Sequence, residues 1–332
     1  MTPSREDQAI IGPATGETIP AAFQLVFGGL PPEQSRTHMA HFVAEVGRGA
    51  VSGQGLLEAR RTGRLVGAVW AELLAGHAAL VWPPRLVPGE PRLTAEQLLS
   101  AGCEVMAQSG AQVVQALVPA ASEEEDAILR AAGFEPLAAL LYLAWERGPV
   151  PNANEGDGPE FCDVLPHNSG RSPSDRPRSP LQFEAYAPNQ RLRLERLVEA
   201  TYEGTLDCPA LNGLRKTEDV LTGYEAAGVL SPQPWLFVRR DDRDVGCLLL
   251  ADHPQEGNVE IVYMGLIAET RGNGWGREIC REAQHVTGQL GRARLVAAVD
   301  AKNIPALNMY ASMGFRVWDR RTMYLKHLPI ET

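Results

Sequence analysis

The chain has 332 residues, 44% hydrophobic and 22% charged, enough for two globular domains with buried cores. A formal net charge of −10 argues against a nucleic-acid surface as the main partner. Five scattered cysteines (Cys103, Cys162, Cys208, Cys247 and Cys280) without a C-x-x-C pair argue against a disulfide framework and for reduced thiols in the cytoplasm.

The opening residues, Met1-Thr2-Pro3-Ser4-Arg5-Glu6-Asp7, carry no charged-then-apolar leader pattern. No run approaches the ~18 apolar residues of a membrane span, so no membrane partner is expected. His38 and His41 stand three apart on an expected helix, but no cysteine or carboxylate cluster completes a ligand set. No metal is expected.

A turn at Gly63-Arg64 leads into a strand through Trp70, followed by a strand near Ala78–Trp82. The proline-rich tract 83–91 reads as a loop. Then come a helix near Ala95–Gln108, a strand Gln112–Val118 and a helix near Glu123–Ala132. Gly133-Phe134 and an apolar strand, Leu137–Trp145, close this half. From Gly148 to Pro180, Pro, Gly, Ser and Asp dominate, which suits an extended connection with a short ordered piece at Phe161–Leu165. The expected organisation is a first domain over 1–150, a linker over 151–180 and a second domain over 181–332.

The second half repeats the plan. Its strands are Asp244–Leu250, Val259–Leu266 and Arg294–Val299, with a helix over about Arg277–Leu290 between the last two. A helix Ile304–Ser312 leads into Gly314-Phe315, and a strand Thr322–Leu328 closes the half. The shared ending, helix then Gly-Phe then strand, is the main sign of duplication. The halves differ after their second strands. The first has Pro83 to Pro91, where prolines remove N–H donors. The second has Arg271-Gly272-Asn273-Gly274-Trp275-Gly276, in which glycines admit close backbone approach and free N–H groups at a helix start point at an anion.

This second half resembles the GNAT family of acyl-CoA N-acyltransferases. Arg271-Gly272-Asn273-Gly274-Trp275-Gly276 fits that family's [Gln/Arg]-x-x-Gly-x-[Gly/Ala] signature. Asn303 after the next strand, Tyr310 seven residues on, and Gly314-Phe315 supply its context. The resemblance implies an α/β (α+β) architecture of tandem GNAT folds, each a mixed, mostly antiparallel sheet flanked by helices. The first copy would be degenerate and the second active. It also implies acetyl-CoA as acyl donor, lying between strand 259–266 and its splayed neighbour 294–299. Backbone N–H groups of Asn273 to Gly276 would hold the pyrophosphate, the main chain of Met264, Gly265 and Leu266 the pantetheine arm, and Asn303 the arm as well. Arg277 and Arg281, one turn apart, either face a phosphate or form a solvated basic face. A dinucleotide reading, with Gly272, Gly274 and Gly276 plus Asp300, is disfavoured because the unit comes late and the chain ends soon after it.

N-acylation requires the acceptor amine to lose a proton, the acyl oxygen to meet a donor and the thiolate to leave. Glu260, a carboxylate inside an apolar strand, is the candidate base, with burial expected to raise its pKa; the competing reading is a solvent-facing strand end beside Gly257 and Asn258. The position five before Asn303, where another branch of the family carries glutamate, is Ala298 here. Tyr310 is the candidate acid for the thiolate, with a core aromatic as the competing reading. A backbone N–H near Met264 is the candidate oxyanion donor. Glu203 and Asp207 are candidates to attract the amine, or are ordinary loop polarity. Tyr263 and Trp275 read as packing, and Cys280 as buried. The expected partner is a small-molecule or peptide amine, and a non-catalytic acyl-CoA-binding sensor remains the alternative. The acceptor, the acyl length and the oligomeric state are not legible in the sequence.

Overall fold

The computed structural model describes residues 8–30, 32–48, 53–119, 123–148, 181–229 and 234–328. The linker expected at 151–180, with Cys162, lies outside the described residues, as does the side chain of His41. The elements of the first half run β1 (Ile10–Pro13), α1 (Ile19–Val26), α2 (Pro32–Gly47), β2 (Leu56–Arg61), β3 (Arg64–Leu74), β4 (Ala78–Leu86), α3 (Arg92–Gln108), β5 (Val113–Pro119), α4 (Glu123–Ala131) and β6 (Glu135–Glu146). The second half runs β7 (Gln182–Ala185), α5 (Arg191–Tyr202), α6 (Thr217–Glu225), β8 (Trp235–Arg240), β9 (Arg243–His253), β10 (Asn258–Leu266), α7 (Trp275–Gln289), β11 (Arg294–Asp300), α8 (Ile304–Ser312) and β12 (Arg316–His327).

Two compact units form. One is Met1–Leu137 together with Thr322–Thr332, and the other is Ala138–Arg321. Each therefore includes a strand from the opposite half of the sequence. β6, read from the sequence as the closing strand of the first half, pairs antiparallel with β11, from Arg294↔Glu146 to Asp300↔Leu140. The end of β12 lies beside β5 in the first unit, where Leu328 N–H donates to Gln112 O at 2.9 Å. There Lys326 Nζ lies 5.9 Å from the Phe134 ring centroid, and the Tyr324 hydroxyl donates to Asp126. Both strands follow a helix and Gly-Phe, but β6 is almost continuously apolar over Leu137–Trp145 whereas β12 carries Arg316, Asp319, Arg320 and Arg321.

The second unit orders its strands β7-β8-β9-β10-β11-β6. Only β10 and β11 are parallel; the remaining neighbours are antiparallel. Alternation along the strands sends two sets of side chains to opposite faces. Val259, Ile261, Leu295, Ala297 and Val299 meet Trp275, Ile279, Cys280 and Ala283 of α7 and Leu307 and Tyr310 of α8. Cys247, Leu249, Trp235 and Phe237 meet Leu194, Leu197 and Val198 of α5 and Leu221 of α6.

The first unit repeats this order as β1-β2-β3-β4-β5-β12, with β4 and β5 parallel. Pro83 and Pro84, expected in a loop, lie in β4. They are accommodated because the β3–β4 register shifts between Ala68 and Trp70, and β4 pairs with β5 only over Ala78–Leu80. A proline at a bulge on an unpaired edge removes no ladder hydrogen bond.

Candidate active site

β10 and β11 run side by side only from Asn258↔Arg294 to Ile261↔Ala297. Beyond that point β10 continues to Leu266 on β9, with a register shift between Ile261 and Tyr263, while β11 continues to Asp300 on β6. The two parallel strands thus diverge, held apart by their other neighbours. A bulge bends a strand and increases its twist, which starts the divergence at Val262. Met264, Gly265 and Leu266 lie on the diverged stretch.

The turn after β10 prepares an anion site. Gly272 and Gly274 have φ of +77° and +81°, a region other residues adopt only with strain. Gly274 caps α7 without a side-chain cap, so the first-turn N–H groups of α7 have no side-chain acceptor at the cap. A Cβ on Gly272 would meet nothing within 4 Å, which leaves the outer side of the turn open. Asn273 turns its amide inward, donating to Thr270 O at 3.0 Å. Trp275 is buried at 5% exposure beneath the Arg240 guanidinium, whose Cζ stands 4.7 Å from a ring centroid, and its role is packing. A Cβ on Gly276 would stand 3.6 Å from Met309 Cγ, an ordinary contact, so the packing of α7 on α8 does not require the glycine. The arrangement fits a pyrophosphate through backbone N–H groups and the α7 dipole.

Arg271, the first residue of the cofactor signature, does not face outward. Its guanidinium points back into the protein and donates to Leu266 O at 3.0 Å, Gly204 O at 2.9 Å and Thr201 O at 2.7 Å. Arg277 likewise has an internal partner, Ser312 Oγ of α8 at 3.0 Å.

Asn303 caps α8, its Oδ1 accepting Ala306 N–H at 3.3 Å. Tyr310 lies on α8 with its ring edge-on to Phe315, centroids 5.0 Å apart, and is 4% exposed. Burial pushes its phenol well above the usual range, and the charge of Asp207 adds to the effect. Its hydroxyl makes no hydrogen bond among the described residues.

Glu260 is not buried as expected. Its side chain is 39% exposed and meets His253 Nε2 at 3.2 Å. It points to the face opposite Val259 and Ile261. Hydrogen bonding to Glu260 raises the imidazole pKa of His253, against the opposing effect of burial. On the same face Ala298 is exposed, within a strand whose neighbours Ala297 and Val299 are buried. It stands two residues from Val296, the partner of Glu260, and two from Asp300.

Asp300 is 3% exposed and accepts Lys302 N–H at 2.9 Å and Cys208 N–H at 3.3 Å. Its own N–H donates to Asp207 Oδ1 at 2.8 Å. Asp207 is exposed as a residue, but its carboxylate turns inward. Burial of that group raises its pKa, while the Asp300 N–H and the Asn303 amide oppose the rise. Glu203, the other candidate on this loop, is exposed. Loop 203–208 therefore brings Asp207, and not Glu203, to the end of β11 beside Asn303.

Residues 198–315 match the Acetyltransferase (GNAT) family. This segment belongs to the GNAT acetyltransferase family. A stretch of 105 residues is 33% identical to a mycothiol acetyltransferase of Pseudarthrobacter chlorophenolicus, and covers 30% of this chain and 31% of that one. The chain thus matches about a third of that relative's length. A GCN5-related N-acetyltransferase of Sphaerobacter thermophilus superposes with a TM-score of 0.59 at 17% identity, covering 98% of this chain and 97% of that one. A GCN5-related glucosamine N-acetyltransferase region of a fungal multi-domain beta-N-acetylglucosaminidase gives 0.57 at 14% identity, over 96% and 38%. At these identities the two structures establish the fold.

In the GNAT segment a tyrosine wall, unread in the sequence, lines the α5 side. Tyr263 stacks with Tyr224 at 6.0 Å and meets Tyr202 edge-on at 5.9 Å. Burial raises all three phenols, that of Tyr202 to about 12. Thr201 Oγ1 and the Tyr263 hydroxyl share a 2.6 Å hydrogen bond. Gly265 permits this contact, because a Cβ there would stand 2.8 Å from Thr201 Oγ1. Cys247 and Cys280 are buried, and burial pushes both thiols up to about 12, which suits packing and not nucleophilic chemistry.

The matching place in the first unit is already filled. Glu90 stands before α3 and accepts Thr94 Oγ1 at 2.6 Å and Arg61 Nη2 at 2.7 Å, with its side chain 5% exposed. Those partners, Arg61 first, hold its carboxyl below the usual range against burial. Like α7, α3 starts without a side-chain cap, at Pro91, and the Glu90 carboxylate beside it is engaged by the Arg61 and Thr94 side chains.

No described helix is long and apolar enough to cross a membrane. No group of three or more potential metal-ligating His, Cys, Asp or Glu side chains occurs among the described residues.

Proposed function

We propose that the second unit transfers an acetyl group from acetyl-CoA directly to a primary amine of a small molecule or peptide. The observation that carries this reading is the divergence of β10 from β11 immediately before the uncapped glycine start of α7. The donor supplies an activated thioester. Backbone N–H groups from Asn273 to Gly276 hold its pyrophosphate, and the main chain of Met264, Gly265 and Leu266 pairs with its pantetheine arm. The amide of Asn303 faces the same arm.

The acceptor enters over Ala298. Asp207 attracts its ammonium form, and Glu260 takes the amine proton, through one water where the side chain does not reach directly. A backbone N–H of β10 near Met264 faces the acyl oxygen, where negative charge grows. Tyr310 offers its unpartnered hydroxyl proton to the departing sulfur. Its raised pKa keeps that proton in place until a thiolate is there to take it.

The first unit serves as a structural or cleft-shaping copy without a donor site. The Glu90 carboxylate before α3 supports that assignment, as does a turn that has the single glycine Gly89, between Pro88 and Pro91, where the second unit has three. The whole chain is read as a cytoplasmic enzyme. An amine-panel screen with free-thiol detection tests the proposal, with calorimetry of acetyl-CoA alongside. Release of CoA thiol matched by acetylated amine is the expected result. Tight acetyl-CoA binding without turnover on any amine would establish the sensor alternative instead.

A further inference from the structure

We infer that Arg271 is a positioning residue that couples the donor turn to the acceptor wall, and is not a phosphate ligand. The inference rests on the proposed acetyl transfer for its kinetic readout, but its geometry stands independently. Arg271 ends the turn that follows β10 and begins the signature Arg-x-x-Gly-x-Gly. A cation there is naturally read as facing the pyrophosphate. Its guanidinium instead spends all three of its nitrogens on carbonyls. Nε reaches Leu266 O at 3.0 Å, Nη1 reaches Gly204 O at 2.9 Å and Nη2 reaches Thr201 O at 2.7 Å. One N–H on each of Nη1 and Nη2 stays outside this fork, but turning the guanidinium outward to face a phosphate would break it and leave three carbonyls to find other donors.

The three carbonyls belong to three different parts of the site. Leu266 ends β10, along which the pantetheine arm is proposed to lie. Thr201 is in the last turn of α5, and its side chain bonds the Tyr263 hydroxyl at 2.6 Å. Gly204 opens the 203–208 loop, and its left-handed φ of +58° presents its carbonyl to Nη1. The far end of that loop is held separately: Asp300 donates to Asp207 Oδ1 and accepts from Cys208 N–H. The loop is therefore a bridge with two fixed ends, one on the donor turn and one on β11. Asn273 Nδ2, bonded to Thr270 O at 3.0 Å, stiffens the turn at the point where Arg271 leaves it. An anion settling on the backbone from Gly272 to Gly276 restrains Arg271, and through it Gly204. Donor binding thereby orders the wall that carries Asp207, before the acceptor arrives.

The test uses the full chain as wild type, Arg271→Gln and Arg271→Lys. Donors are acetyl-CoA and S-acetylpantetheine, which lacks the pyrophosphate, with the best amine from the screen as acceptor. Calorimetry reads acetyl-CoA affinity, and hydrogen exchange reads residues 201–208 with and without CoA. The expected result is an acceptor KM raised about tenfold or more with both donors, and acetyl-CoA affinity within about threefold of wild type. Exchange at 201–208 becomes faster and stops responding to CoA. Arg271→Lys restores only part of the effect, because an ammonium has no planar fork. The inference is overturned if acetyl-CoA affinity falls tenfold while kinetics with S-acetylpantetheine stay unchanged, the pattern of a phosphate ligand. If wild type acetylates no amine, the proposed function fails. The exchange measurement then decides the coupling alone, and an unchanged CoA response in Arg271→Gln overturns it.

Discussion

Asp207 and Asp300 hold one another through the backbone. Asp207 Oδ1 accepts the Asp300 N–H at 2.8 Å, while Asp300 accepts the N–H of Cys208, the neighbour of Asp207, at 3.3 Å. Two carboxylates are thereby kept close without a cation between them, because each faces an N–H donor. The two positions should respond differently to substitution. Asp300→Ala leaves two backbone N–H groups in a buried place without acceptors, and is expected to cost about 1–3 kcal/mol in urea unfolding. Asp207→Asn keeps an oxygen for the Asp300 N–H and removes the charge. It is expected to leave stability nearly unchanged and to raise the acceptor KM several-fold. Equal kinetic and stability losses in both variants would show that Asp207 only anchors the loop.

Glu260 and His253 form a pair whose pH dependence has a definite sign. Hydrogen bonding to Glu260 raises His253 above its ordinary value of 6.5. A group whose pKa rises on folding stabilises the fold fully below the unfolded value and ceases to do so as pH passes the folded one. The stability difference between wild type and Glu260→Gln should therefore be largest below the ordinary histidine value of 6.5, while Glu260 is ionised, and fade as pH rises through the raised value. Turnover should fall at all pH values if Glu260 takes the amine proton. A Glu260→Gln enzyme with wild-type turnover and pH–rate profile would refute that role. His253→Gln separates the two effects, losing the stability term while retaining most of the turnover.

Tyr310→Phe keeps the ring against Phe315 and removes a hydroxyl that has no hydrogen-bond partner. Unfolding free energy should stay within about 0.5 kcal/mol of wild type. kcat should fall by about a hundredfold, in the range typical of a lost general acid. A drop in stability with little change in kcat would return Tyr310 to the core.

Glu90→Gln removes the charge held by Arg61 and Thr94 at the start of α3. The folded state holds this carboxyl below its ordinary value, so its contribution is present above the unfolded pKa and lost as pH falls through the lowered one. The variant should unfold earlier than wild type at neutral pH, and the two should converge in acid. It should gain no acetyl-CoA site, since the turn before α3 has the single glycine Gly89 between Pro88 and Pro91. Calorimetry showing a second acetyl-CoA site in Glu90→Gln would show that the carboxylate alone blocks the first unit.

The sequence by itself determined the features that depend on local backbone physics. Gly272 and Gly274 read as a turn because only glycine adopts those dihedrals freely, and the α7 stripe of Ile279, Cys280 and Ala283 read as a helix face. The strands β9, β10 and β11 were legible for the same reason. The N-terminal β1, α1 and β2 were not read, because short segments offer too few residues for a period to show. Tertiary structure alone decided three things. It sent β6 to β11 and the end of β12 to the first unit, because the partner of a strand lies far away in sequence and is not written in the strand itself. It left Glu260 39% exposed, as in the solvent-facing reading and not the buried one. It turned Arg271 inward, because three carbonyls from distant parts of the chain meet at one point. A side chain's direction depends on partners far away in sequence, whereas a glycine's φ depends on the glycine.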